Sequence, residues 1–367
     1  MSNTEEMNMK RIYLTIFLVL SSCGLFAQQD GMKVKFEHLD IAVTAGSTGL
    51  GFDLATHMNE YVRLRAGAAF IPQFNYRMSF GVQVGDEAES KFDEYGNRVE
   101  TRFDRLANLL ESMTGLRVDD RVDMLGSPRM NNFKFMIDLF PLENKHWSIS
   151  VGAYIGKSCF AKAKNTMGDM SSLMAVSIYN NMYNRILAEE PLFDYRGMTA
   201  TLPTEFTDVV RSYGKMSMPI GEFVHDVEAQ QDVLYEYNVI DDITGEVLHA
   251  KGDVRVAQGE VLYHKGEEYR MIPGQDNMVR VKATNNVFRP YVGIGYEGSI
   301  SKNERLVLGA NAGVMMWGGR PNLITHEGVD LIHDLTNVHG KVGNYVRLAK
   351  KFPVYPVLEF RLAYRIF

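Results

Sequence analysis

Ten charged residues recur at alternate positions within otherwise apolar segments, and they carry the most telling chemistry in this chain. Asp40, Asp53, Asp138, Glu297 and Glu359 stand against Arg63, Arg65, Lys134, Arg361 and Arg365. Their neighbours are residues such as Leu39 and Ile41, Phe52 and Leu54, or Phe133 and Phe135. A period of two places each charge on one face of a strand whose other face is apolar. Five acids against five bases form a balanced set. Buried charges persist only when paired, so the balance predicts a closed interior filled by compensating ion pairs.

Other spellings with catalytic or ligating potential lack the context their chemistry needs. Gly293-Ile-Gly-Tyr-Glu-Gly298 has dinucleotide-site spacing, but it runs out of an alternating strand into a turn with no helix after it. Gly46-Ser-Thr-Gly49 has no phosphate-binding lysine and reads as a hairpin turn. His326, His333 and His339, with Asp330 and Asp334, lie seven and six apart, which is not the i, i+4 pair of a zinc-binding helix. No GxSxG elbow occurs. His225, Asp226, His249 and His264 could be gathered at a rim by folding, although no spacing demands it. The chain therefore reads as a non-enzyme with no catalytic residues, no cofactor and no metal site.

The elements that must hold the ten charges are strands. Alternating runs fall near residues 36–45, 48–56, 61–84, 131–140, 147–156, 287–298, 304–317 and 354–367. Most are about the length that a tilted membrane-crossing strand requires. The third keeps its parity through Phe80 and Val82 and is expected to project well past the others. The face that carries the charges also carries Gly49, Gly51, Gly67, Gly152, Gly156, Gly293, Gly295, Gly309 and Gly313. Glycine protects an exposed sheet poorly but makes room inside a narrow closed one. The fold class that follows is all-β: an antiparallel up-and-down transmembrane barrel of about eight strands, with its apolar face toward lipid and no open pore.

Connection lengths point the same way. The links at 56–60, 141–146 and 299–303 are short, whereas the insertions at 85–130, 157–286 and 318–352 are long, and an even strand count puts all three on one side. Trp147, Tyr296, Tyr364 and the closing Phe367 at one boundary, and Trp317 at the other, are the expected membrane-interface aromatics, with Phe140 near the first.

The insertions have apolar faces of their own and should fold over the barrel mouth. Phe103, Leu106, Leu110 and Met113 predict a helix ending at Gly115, and Met174, Ile178, Met182 and Ile186 predict another after Asp169. Thr204 reads as the N-cap of a third, through Tyr213. Ile243-Thr-Gly-Glu246 and Ala257-Gln-Gly-Glu260 read as hairpin turns. The first two insertions are acidic, which suits a solvated surface or a cationic partner.

Residues 1–27 read as a Sec signal peptide: Lys10 and Arg11, an apolar run from Ile12 to Leu20, then Leu25-Phe-Ala27 as the cleavage site. Leu20-Ser-Ser-Cys23 also resembles a lipidation box. Removal of the leader leaves Cys159 as the one thiol, so no disulfide framework forms. The charge balance, 39 bases against 45 acids, gives no basic excess for nucleic acid.

Three segments bear a family likeness: Asn132-Phe-Lys-Phe-Met-Ile-Asp-Leu-Phe-Pro141, Phe288-Arg-Pro-Tyr-Val-Gly-Ile-Gly-Tyr296, and Trp317-Gly-Gly-Arg-Pro321 with Lys351-Phe-Pro-Val-Tyr-Pro-Val-Leu358. With them the chain resembles the small OmpA-like outer-membrane barrels of Bacteroidota. The resemblance implies the outer membrane of a Gram-negative cell, lipid as surroundings, and delivery to the barrel-assembly machinery through the C-terminal strand. It transfers no catalytic residue. The ending departs from the usual pattern: stepping back in twos from Phe367 meets Arg365, Ala363 and Arg361, and the apolar register ends at Ile366. A structural or binding role through the external loops, toward a surface partner or glycan, is the expected function. The alternatives are a rim-site enzyme and a narrow channel for small solutes.

Overall fold

The computed structural model describes residues 39–366, apart from 87–88, 116, 190, 192, 196–197, 201–203, 230, 236–238, 241–246, 275 and 352. The leader, Phe367 and the turn at 243–246 lie outside the described residues.

Eight strands close into an antiparallel barrel: β1 (Leu39–Gly46), β2 (Gly49–Asn59), β3 (Val62–Phe70), β4 (Asn131–Leu139), β5 (Trp147–Gly156), β6 (Phe288–Ser299), β7 (Leu306–Met316) and β8 (Val354–Arg365). Each pairs with its neighbours in chain order, and β1 pairs with β8 to complete the ring, with Ile41 opposite Tyr364 and Val43 opposite Leu362. The pleat then sorts the side chains. Val43, Phe52, Phe133 and Phe360 point outward and are 62%, 56%, 72% and 54% exposed, while Asp53, Arg63, Asp138 and Arg361 point inward and are buried. The start of β1, the end of β8 and the three short turns share one end, called inner here, and the three insertions share the other.

The third strand is shorter than its sequence pattern suggests. It leaves the barrel at Phe70, and after 71–75 the chain forms a separate strand, Tyr76–Gly81. That strand belongs to a five-stranded sheet in the order 322–325, 280–284, 159–165, 121–128, 76–81. These are the continuations of β7, β6, β5, β4 and β3, in the same order. One side of the barrel wall thus extends past the rim after breaks of a few residues. A period of two survives such a break, which is why parity alone could not locate it.

Over this sheet the insertions build one apolar core. Helix α1 (Arg102–Thr114) contributes Phe103, Leu106 and Leu110, and α2 (Met170–Leu187) contributes Leu173, Val176 and Tyr179. Helix α2 also packs on a smaller sheet centred on Met216–Phe223, α3 (Thr204–Tyr213) packs on α2, and α4 (Gly340–Lys351) packs on Tyr76–Gly81 of the five-stranded sheet. Thr101 and Asp104 form a reciprocal cap on α1, and Gly115 closes it in the left-handed region at φ 69°.

Two expected faces are corrected. Met113 is 62% exposed, so α1 buries a narrower stripe. In α2 the buried face is rotated toward Asn180, leaving Ile178 exposed. The reason is polar: the Asn180 amide donates to Met216 O (2.8 Å) and accepts from Met216 N–H (2.9 Å), fixing the helix by the one side chain a hydrophobic pattern ignores.

Between 223 and 267 the described residues form a ribbon of short strand pairs with a seven-residue repeat. Gly252, Gly259 and Gly266 sit at φ 92°, 88° and 84°, and their N–H groups donate to Tyr235, Ala229 and Phe223 carbonyls. The acid after each glycine, Asp253, Glu260 or Glu267, accepts the N–H of the residue that opens its turn. Ala257-Gln-Gly-Glu260 is therefore a turn, but not a hairpin: its flanking strands, Val254–Val256 and Val261–Tyr263, pair with Val233–Leu234 and Val227–Glu228 instead of each other. Among the described residues no helix is long and apolar enough to cross a membrane.

Candidate functional site: the barrel interior

All ten sequence-derived charges point into the barrel, where the structure joins them in one connected network. Arg365 and Arg361 approach Asp40 at 3.6 and 3.7 Å near the inner end. Arg361 also reaches Glu297 at 3.8 Å, and Glu297 takes both its oxygens to Arg63, at 2.6 and 2.7 Å. Asp138 is the hub: it accepts from Arg63 Nε (2.9 Å), Arg65 Nη2 (3.0 Å) and the Ser150 hydroxyl (2.6 Å). From Arg65 the chain runs on to Glu359 (3.2 Å) and Asp53 (3.5 Å), and Lys134 bridges those two carboxylates at 2.5 and 2.8 Å. A carboxylate with three donors has its lone pairs filled, which offsets much of the cost of holding it away from water.

Strand geometry explains why these pairs meet. Arg63 and Asp138 are cross-strand partners of β3 and β4, and Lys134 faces Gly67 two pairs from Arg65. Gly67 has no substitute there, since a Cβ would stand 2.3 Å from Asp53 Oδ1. Phe140 is not an interface aromatic. It is 3% exposed and lies under the Arg63 guanidinium, 5.0 Å from the ring centre, closing the inner mouth by a cation–π contact.

The outer half of the interior is a second layer that the charge pattern did not disclose. Met130, Met136, Tyr154, Tyr291, Met315 and Val357 pack together, with the two tyrosines edge to face at 5.6 Å. Gly293 and Gly313 admit the Tyr291 hydroxyl, which would lie 2.2 and 2.6 Å from their added Cβ atoms. Above this layer Arg289 is fully buried, donating to Asn132 Oδ1, Asn285 Oδ1 and the carbonyls of Asn286 and Lys157. The inward parity of Met136, Tyr154, Tyr291 and Arg289 was the available signal. Apolar residues on a charged face simply do not stand out.

The aromatics expected at a membrane interface divide. Trp147 and Tyr296 are both about half exposed and meet edge to face at 5.1 Å, and Tyr364 is similarly exposed. Trp317 instead tucks under the cap between Phe160 (4.7 Å) and Tyr355 (5.8 Å), because the wall continues past it.

The histidines are dispersed. His333 pairs with Asp330 (2.9 Å), His225 with Asp334 (3.2 Å), His326 bonds the Ile272 carbonyl, and His249 stacks on Tyr235. Among the described residues no three ligating side chains could share a metal ion. One cap carboxyl is unusual: burial pushes Glu327 up to about 7, against the hydrogen bond it accepts from the Tyr269 hydroxyl. Burial, with Glu327 beside it, raises Tyr269 well above the usual phenol value.

The fold is thus an eight-stranded closed antiparallel barrel with a structured cap. Comparison with solved structures finds the crystal structures of Acinetobacter baumannii CarO2 and CarO, each 12% identical with a TM-score of 0.32, covering 89% of this chain and 98% and 97% of theirs respectively. A major outer membrane protein from Thermus thermophilus is also 12% identical, with a TM-score of 0.24, covering 90% of this chain and 98% of that one. Similarity at this level leaves the reading to the chain's own geometry. No protein-family model and no curated protein matches the chain.

Proposed function

We propose that this protein is an integral outer-membrane barrel with a shut interior, acting as a structural and binding protein through its external cap, and not as an enzyme. The observation that carries the reading is the inversion of the barrel: large apolar side chains are exposed around its whole outer wall while eight of the ten network charges are buried on the axis. Water outside would penalise that wall, whereas acyl chains would not. The ionic layer and the Met/Tyr layer above it support a lumen that passes no solute.

Its immediate partners on this reading are membrane lipid and, during export behind a Sec leader, the barrel-assembly machinery engaging β8. A surface protein or glycan would meet the cap. The narrower placement among Bacteroidota barrels rests on the three sequence segments and is part of the same proposal.

Fractionation and planar-bilayer recording test it together. The mature chain is expected in the outer-membrane fraction, extractable only with detergent, and silent in the bilayer. Recovery from periplasmic extract without detergent would defeat the membrane reading. Stable unitary conductance would defeat the shut lumen.

A further inference from the structure

A cavity of about 970 Å³ opens where the five-stranded sheet, α4 and the outer ends of β7 and β8 meet. Met78, Met124, Ala163 and Ala283 line it from the sheet, Val346 and Ala349 from the helix. The volume is in the range of sites that enclose small molecules, and an apolar void of that size leaves its walls without dispersion partners.

Its floor belongs to the outer wall of the barrel. Val314 and Pro356, which line the cavity, are cross-strand partners in the outward register of β7 and β8. The next outward positions down the same strands are Ala312 and Leu358, then Phe360, all exposed. An unbroken apolar track therefore leads from the lipid-facing wall into the cavity.

The helix over the opening is cationic. Gly340–Lys351 holds Lys341, Arg347, Lys350 and Lys351 with no acid, and its Tyr345 and Leu348 are 46% and 56% exposed beside the cavity. A basic helix with an apolar edge suits the boundary of an anionic bilayer. The indole N–H of Trp317, also on the cavity wall, is buried and meets no acceptor among the described residues.

We propose that this cavity holds an acyl chain of an anionic membrane lipid, drawn from the leaflet around the external rim, with its phosphate against the α4 bases. The inference rests on the membrane reading above. The walls select a hydrocarbon chain, the track supplies an entry from the bilayer, and the bases select the headgroup.

Trp147→Phe leaves Trp317 as the single tryptophan, since the chain has 2. In neutral detergent this variant would be titrated with phosphatidylglycerol, and separately phosphatidylcholine, carrying dibrominated acyl chains. Quenching of Trp317 should saturate near one lipid per protein, with phosphatidylglycerol binding at least several-fold tighter. Ala283→Phe, which fills the cavity, should abolish the saturable part, and Arg347→Glu with Lys351→Glu should equalise the two lipids. Native mass spectrometry of the Trp147→Phe protein, expected to retain one lipid, keeps the test independent of whether the filled variant folds. Linear, unsaturating quenching with no retained lipid would overturn the site, and equal affinity for both lipids would overturn the anionic occupant. A chain that inserts into phosphatidylglycerol vesicles yet shows neither signal sinks this inference alone. A chain that stays in solution and never inserts sinks the membrane reading as well.

Discussion

The barrel and the cap keep opposite interiors. On the barrel axis Arg63, Arg65, Lys134 and Asp138 are buried and their apolar neighbours face out, whereas in the cap Leu110, Leu173, Val176 and Tyr179 are buried and the charged side chains, the half-buried Glu327 apart, lie toward the surface. One chain uses the same residue types in both regions, so on the proposed membrane reading the difference lies in what surrounds each. In water the hydrophobic effect collects apolar surface inward. Where acyl chains surround a closed wall, that force vanishes across the wall, and ion pairs with hydrogen bonds must hold the centre. The two regions should therefore fail in different ways.

The largest difference is expected at the ionic hub. Asp138→Ala leaves Arg63 and Arg65 short of their shared carboxylate, and breaking a buried pair of this kind costs about 3–5 kcal/mol. Urea unfolding of the reconstituted barrel, followed by its gel mobility with and without heating, reads the loss. An effect below about 1 kcal/mol would mean water reaches the axis and screens the pair. The matching lesion in the cap is Leu110→Ala, a core deletion worth about 2–5 kcal/mol. It should expose 85–130 to protease while the barrel keeps its heat-dependent mobility.

The outer surfaces give a sharper contrast. Phe135→Arg puts a charge on the barrel wall and should cost about 2–4 kcal/mol on folding into a bilayer. Val247→Arg, on the exposed ribbon, should shift stability by no more than about 0.5 kcal/mol. Equal costs would erase the distinction between the two surroundings.

A separate effect concerns pH, and only the cap. With its carboxyl pushed from 4.5 to about 7 by burial, Glu327 keeps its proton in the folded cap over a range where the unfolded chain has lost it. Rising pH through that window therefore favours unfolding, by up to roughly 3 kcal/mol once it is crossed, with no further change above it. Glu327→Gln should match the parent near pH 4.5, be the more stable of the two at pH 8, and leave barrel unfolding unchanged. Thermal melts of the cap at several pH values check this.

How far the sequence could be read follows from the same contrast. A strand period of two marks both the apolar outer wall and the ionic face, so β1, β2 and β4 to β8 were legible to within a few residues. All ten charges were legible too, because a charge between two apolar residues is conspicuous, but Arg289, between Phe288 and Pro290 at the start of β6, was missed although it shares the inward register. What alternation cannot encode was lost. It could not show that β3 stops at Phe70, because the parity resumes at Tyr76. The Tyr154–Tyr291–Met136 layer was invisible because apolar residues are expected anywhere in a strand. The α2 face was misplaced by Asn180, whose two bonds to Met216 decide the rotation. The ribbon could have been found: glycine followed by an acid recurs at 245, 252, 259 and 266, a spacing of seven.

Spin labels along β4 test the central claim most directly. With Cys159→Ser as background, nitroxides at Phe133 and Phe135 should collide with dissolved oxygen in a bilayer but not with an aqueous nickel chelate. Labels at Asn132 and Met136 should be shielded from both. If the chelate relaxes the labels at Phe133 and Phe135 as readily as oxygen does, the outer wall faces water and the account is wrong.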